Sequence, residues 1–213
     1  LALGWGLLGV ASTAVVSFIT YTMSWGKLLQ PDLFLGSSIL DLTPEMLRQQ
    51  NLKGLVLDVD ETLVPISMAE TSPELHQWLQ RLDRSMQVWL VSNNISQARI
   101  SRIAKTLERP YILGARKPSR RKLRQAVEAM GLPVEQVAMV GDRLFTDVLA
   151  GNRLGMYTIL VEPMVNPAKL KQRNLLRDLE VWLSQILGVT LVQGLPPQMQ
   201  PIQQQSVTDP DKT

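Results

Sequence analysis

The sequence predicts an α/β fold built on an open parallel sheet with helices on both faces. Short Val/Ile/Leu-rich runs recur between Gly54 and Val161, longer helix-like stretches separate them, and polar residues stand at the carboxyl ends of the runs. Apolar runs without alternation suit strands buried on both faces, as parallel strands are. Strands lying parallel need long crossovers, and the helical stretches between the runs supply them.

The first run, Gly54–Asp58, precedes a helix expected over Ser72–Arg84, with Ser72 as N-cap and Pro73 in the first turn. Val88–Ser92 and Tyr111–Gly114 are the next two strands, with a helix at Ser96–Glu108 between them. A helix over Ser119–Met130 follows, ended by Gly131 and then Pro133. Val137–Gly141 and Tyr157–Val161 complete the strands, joined by a helix at Leu144–Leu154, and Pro167–Leu187 is a last helix. This alternation describes a Rossmann-like sheet. Between Asp60 and Ser92, and between Ser92 and Lys117, there is room only for a helix and short loops, so no cap domain fits.

The folded domain is expected over residues 27–190. At 213 residues and 45% hydrophobic content, the chain can fill one such core and carry additional segments. Residues 1–26 form an apolar segment without a charged side chain, read either as membrane-associated or as an artefact of start-site choice, with Met23 as the true start. Residues 191–213, rich in Gln and Pro, are expected to be a disordered tail. With no cysteine, zinc–thiolate sites and cysteine nucleophiles are excluded. The single histidine, His76, lies on a helix beside Leu75 and Trp78 and is assigned no catalytic role.

In an open parallel sheet, ligands bind outside the carboxyl ends of the strands. Asp58 and Asp60 lie there after the first strand, Ser92 and Asn93 after the second, Lys117 after the third, and Gly141 and Asp142 after the fourth, with Asp147 one turn on. Neighbouring carboxylates resist joint ionisation unless a cation or proton intervenes, and an all-oxygen group suits magnesium. Lys117 adds a compact positive charge, while Ser92 and the amides around Asn93 can donate to phosphoryl oxygens. The chemistry expected is attack of Asp58 on phosphorus, with Asp60 protonating the leaving oxygen and then deprotonating water.

The stretch Asp58-Val59-Asp60-Glu61-Thr62-Leu63 resembles the first motif of the haloacid dehalogenase (HAD) superfamily. Ser92-Asn93 resembles its second motif, Lys117-Pro118 its third, and Gly141-Asp142 with Thr146-Asp147 its fourth. The resemblance implies a HAD-like, capless class III phosphatase with Asp58 as nucleophile and Asp60 as general acid/base. It also implies a magnesium ion held by the Asp58 and Asp142 carboxylates and the Asp60 backbone carbonyl, with Thr62 and Asp147 in support. Leu29-Gln30-Pro31-Asp32, Lys53-Gly54-Leu55 and Gly151-Asn152-Arg153-Leu154-Gly155 are similar to the YqeG branch, which resembles phosphatases that convert phosphatidylglycerophosphate to phosphatidylglycerol. Glu61 and Arg143 depart from that branch, where Asn and Gln are usual.

The resemblance implies a phospholipid substrate and a cytoplasmic protein working at the inner face of a membrane. A capless site is open to bulky substrates such as lipids or proteins. Basic residues cluster at Arg116–Arg124 and at Lys169–Arg177, the second near Trp182, and either group could meet an anionic surface. A small soluble phosphometabolite or a phosphoprotein is the alternative substrate. The alternative of another class is a membrane- or nucleic-acid-binding module with a structural cation. Nucleic acid is the less expected partner, since three Phe and three Tyr offer few stacking platforms.

Overall fold

A computed structural model describes residues 26–68, 70–82 and 86–164. The segment before residue 26, the predicted helix Pro167–Leu187 with its basic residues and Trp182, and the Gln/Pro-rich tail lie outside the described residues. The strands are β1 (Leu33–Phe34), β2 (Gly54–Asp58), β3 (Gln87–Val91), β4 (Tyr111–Ile112), β5 (Val137–Gly141) and β6 (Tyr157–Leu160). They form a six-stranded sheet in the order β1-β6-β5-β2-β3-β4, and every pairing is parallel. The helices are α1 (Pro44–Gln49), α2 (Pro73–Arg81), α3 (Gln97–Leu107), α4 (Arg121–Met130) and α5 (Leu149–Leu154).

The expected α/β class is therefore observed, and the strand pleat sorts the core into layers. Leu55 and Leu57 of β2 face one side, with Leu75 and Trp78 of α2 and Ile100, Ile103 and Leu107 of α3. Val56 faces the other side, with Leu123, Ala126, Val127 and Met130 of α4 and Ala150 of α5. Trp78 is buried and its indole donates to the Leu42 carbonyl at 2.8 Å, so a large apolar body is placed without an unpaired N–H. Ser72 caps α2 as expected, accepting from the Leu75 amide. His76 pairs with the Thr71 hydroxyl at 2.8 Å on the same helix end.

Several elements differ from expectation. β1 and α1 leave no signal in the sequence: one is two residues long and the other six, too short for periodicity to register. Asp32, just before β1, holds it against β6 by accepting from the Thr158 amide at 2.7 Å and hydroxyl at 2.9 Å. The expected strand Tyr111–Gly114 ends at Ile112. Gly114 takes φ +56°, and the Ala115 amide then bonds the Ser92 carbonyl at 3.0 Å, turning the chain towards Ser92. The expected helix Leu144–Leu154 begins as a π-turn over Leu144–Val148 before becoming α5. Among the described residues, no helix is long and apolar enough to cross a membrane.

Candidate active site

The strand order places a switch point at β2. Chain connections lead from β2 to β3 and β4 on one side, while β5, β6 and β1 lie on the other. A crevice forms where connections diverge in this way. Register fixes what surrounds it. Asp58 pairs with Val91 and Leu57 with Val140, so Ser92 and Gly141 flank the end of β2.

Lys117 reaches into this crevice and is 5% exposed. Its ammonium pairs with Asp58 Oδ1 and lies 2.6 Å from Asp147 Oδ1. Carboxylate oxygens of Asp58, Asp142 and Asp147 all lie within 4.8 Å of one another. Burial pushes the Asp58 carboxyl up to about 7; Lys117 opposes this, and Asp147 and Asp60 add to it. Asp142 is raised well above the ordinary carboxylate range by burial, then by Asp147 and Asp58. Burial alone would lower Lys117, but Asp147 and Asp58 outweigh it and hold the ammonium above its ordinary value.

Three clustered carboxylates, two of them paired with the one ammonium, leave an excess of negative charge in a largely buried group. The donors are all oxygen, so the group fits a hard divalent cation, which would relieve the carboxylate repulsion that adds to burial in raising Asp58 and Asp142. The Thr62 hydroxyl, fully buried, donates to Asp142 Oδ1 at 3.3 Å and orients it. The Arg143 amide donates to Asp147 Oδ2 at 3.2 Å, turning the other oxygen of that carboxylate to Lys117.

Asp60 stands apart from the carboxylate group. Its Oδ2 accepts from the Ser92 hydroxyl at 2.6 Å, and its Oδ1 is paired with Arg99 of α3. Asn93 is exposed, yet its amide grips the third motif: Oδ1 accepts from the Lys117 amide at 2.8 Å and Nδ2 donates to the Lys117 carbonyl at 3.3 Å. Glu61 is buried with φ +71°, and its side chain accepts from the Ile66 amide at 3.0 Å. It closes the turn after Asp60.

The site tolerates no extra atom at Gly141. A Cβ built there would lie 2.4 Å from Cγ and Oδ2 of Asp147. Gly141→Ala is expected to displace Asp147 and cost about 1–3 kcal/mol by overpacking. Urea denaturation checks this, and stability equal to the parent would contradict the packing described.

The crevice thus gathers Asp58, Lys117, Asp142 and Asp147, with Thr62 behind them and Asp60 and Ser92 at one side. Sequence reasoning missed Arg99. Its only signal was a cation on the first turn of a helix that follows the second motif. Of the described large hydrophobic residues, the exposed ones are Ile66, Met68 and Ile95, which lie in the loops after Asp60 and Ser92. The Arg116–Arg124 cluster is partly engaged: Arg120 donates to the Arg153 carbonyl at 2.9 Å, and Arg153 to the Pro118 carbonyl at 3.1 Å.

The family described as HAD-hyrolase-like matches residues 114–174. The probable phosphatase YqeG of Bacillus subtilis is 38% identical over 141 residues, spanning 66% of this chain and 81% of that protein. Phosphatidylglycerophosphate phosphatase 1 of Arabidopsis thaliana is 33% identical over 132 residues, covering 56% of this chain and 37% of that protein. Its counterpart in Chlamydomonas reinhardtii is 32% identical over 127 residues, with 55% and 47% covered. The chain therefore spans less than half the length of the two lipid phosphatases.

Proposed function

Since the chain belongs to the YqeG family of HAD-superfamily phosphatases, we propose that it is a magnesium-dependent hydrolase of phosphatidylglycerophosphate acting through an aspartyl phosphate on Asp58. The observation that carries the chemistry is the group at the end of β2, where Asp58 and Asp147 pair with the Lys117 ammonium and Asp142 brings a third carboxylate beside them.

Asp58 attacks phosphorus in line with the leaving oxygen; the Asp58 O–P bond forms as the ester P–O bond breaks. Asp60 gives its proton to the leaving oxygen. Water then attacks the aspartyl phosphate, passes a proton to Asp60, and frees phosphate and the Asp58 carboxylate. Lys117 offsets the charge of nucleophile and phosphoryl group, and the Ser92 hydroxyl and the backbone amides around Asn93 donate to phosphoryl oxygens. Asp147 holds Lys117, and Thr62 holds Asp142. Magnesium would be held by the Asp58 and Asp142 carboxylates and the Asp60 carbonyl, supplying charge neutralisation between carboxylate and phosphate.

The lipid assignment draws support from the named substrate of the two distant relatives and from the rim of the site. Ile66, Met68 and Ile95 are 54%, 45% and 86% exposed on the loops beside Asp60 and Ser92. Apolar side chains at an open mouth suit a substrate whose phosphate is tethered to acyl chains, met at the cytoplasmic face of a membrane.

Phosphate release from phosphatidylglycerophosphate in mixed micelles tests this. Release is expected with magnesium, to stop on chelation, and to return when magnesium is restored. Turnover of an aryl phosphate without any turnover of the lipid would discard the lipid and keep the chemistry. Inactivity of the folded protein on both would discard the enzyme mechanism.

A further inference from the structure

Arg99 has no part in the four motifs, yet its guanidinium reaches the group that handles the proton. Its side chain is 13% exposed. Each of its three nitrogens donates to a different acceptor: Nη1 to Asp60 Oδ1, Nη2 to the Pro65 carbonyl at 3.1 Å, and Nε to the Met68 carbonyl at 2.8 Å. A planar fork with every nitrogen engaged has little rotational freedom, and α3 beneath it is anchored by Ile100, Ile103 and Leu107 in the core. Arg99 therefore fixes both the Asp60 carboxyl and the loop that follows it.

The second hold on Asp60 is of another kind. Ser92 has one O–H, and it donates to Asp60 Oδ2 while its oxygen accepts from the Asn94 amide at 2.9 Å. A hydroxyl with one proton cannot serve Asp60 and a phosphoryl oxygen together. When the phosphoryl group takes the Ser92 hydroxyl, Oδ2 is released, and only Arg99 still holds the Asp60 side chain.

We propose that Arg99 is a positioning residue that keeps Asp60 aimed at the leaving oxygen after Ser92 turns to the substrate, so that Oδ2 is the atom that gives and later receives the proton. This rests on the reading of Asp60 as general acid and base. Freed of the Ser92 O–H, Oδ2 takes up a proton from solvent; that proton leaves Asp60 Oδ2 for the departing oxygen, and in the second step one returns there from water. Oδ1 keeps its bond from Arg99 throughout. The Pro65 and Met68 contacts stop the guanidinium from following the substrate.

A structural staple and a positioning residue differ in their dependence on the leaving group. Phenyl phosphate needs a proton on its departing oxygen; 2,4-dinitrophenyl phosphate expels a stable anion and does not. In kcat/KM, which reports the first chemical step, Arg99→Met is expected to lose about 10²-fold on phenyl phosphate. On the dinitrophenyl ester the loss is expected to stay within about threefold. Arg99→Lys keeps a cation but not the fork, and is expected to show the same selectivity with a smaller loss. Should Arg99→Met fail the thermal-unfolding check, Arg99→Lys carries the comparison. Equal losses on both esters, or no loss on either, would overturn the proposal. Asp60→Asn, assayed alongside, separates the premises: equal losses on both esters in that variant would mean that Asp60 is not the general acid, whatever Arg99 does.

Discussion

Asp58→Asn is expected to give a folded protein whose kcat is lower by at least about 10⁴-fold on every phosphomonoester tested. The amide has the same shape and its oxygen can still accept from Lys117, so the crevice keeps its packing. What is lost is the atom that bonds phosphorus, and no neighbour replaces it. Asp60 is turned to Ser92 and Arg99, while Asp147 is occupied by Lys117 and the Arg143 amide. Mass spectrometry of acid-quenched enzyme is expected to find phosphate on the peptide containing Asp58 in the parent and none in the variant. A variant that keeps more than about one hundredth of kcat would remove Asp58 from its role as nucleophile.

The same substitution has a second readout through pH. Burial holds the folded Asp58 carboxyl near 7, above its ordinary 3.8, so the folded state binds this proton more tightly than the unfolded chain does. Such a group contributes stability that is fully present below about pH 4 and is lost as pH rises through about 7. Magnesium-free parent protein is therefore expected to weaken between those values. Asp58→Asn removes that contribution and flattens the decline, leaving the part due to Asp142, which is raised in the same direction. Thermal unfolding in chelator at a series of pH values measures the difference.

How much of this was legible depended on what each feature leaves in a sequence. β2 and β5 were legible because both faces are covered, which writes an unbroken apolar run ending in Asp58 or Gly141. Gly141, Asp142 and Asp147 could be placed together because a strand end and one following turn fix their spacing. Arg99 was not legible. With Arg102 and Lys105 it forms a row at helical spacing that looks like a solvated face, and only the turn from Glu61 to Met68 brings carbonyls and Asp60 over it. That turn depends on Glu61 adopting positive φ, which a glutamate does not announce. Asn93 is a partial case: the sequence places it beside Ser92, but its grip on the Lys117 backbone is a tertiary contact between loops. β1 is held by Asp32 reaching β6, and no local pattern records a partner 126 positions away.

Lys117→Met is expected to be the most destabilising single change in the crevice. The methionine replaces most of the buried stem, so the effect isolates the charge. Without the ammonium, the buried Asp58 and Asp147 and the half-buried Asp142 stand with carboxylate oxygens within 4.8 Å of each other and, in magnesium-free buffer, no cation between them. Removing one partner from a buried ionic group costs about 3–5 kcal/mol, because the remaining charge is left uncompensated. Carboxylates can escape part of that cost by taking up protons, so the loss is expected to be larger at pH 8 than at pH 5 in magnesium-free buffer. A divalent cation offers the other escape, and magnesium is expected to restore more stability to the variant at pH 8 than at pH 5. Adding Asp147→Asn removes one of the repelling charges. The double variant is expected to recover part of the loss, and the non-additivity measures the Lys117–Asp147 coupling directly. Activity should follow a different course: neither magnesium nor the second substitution supplies an ammonium beside Asp58, so turnover stays low when stability returns. A Lys117→Met protein as stable as the parent at pH 8 in chelator would mean that the three carboxylates do not share a pocket in solution.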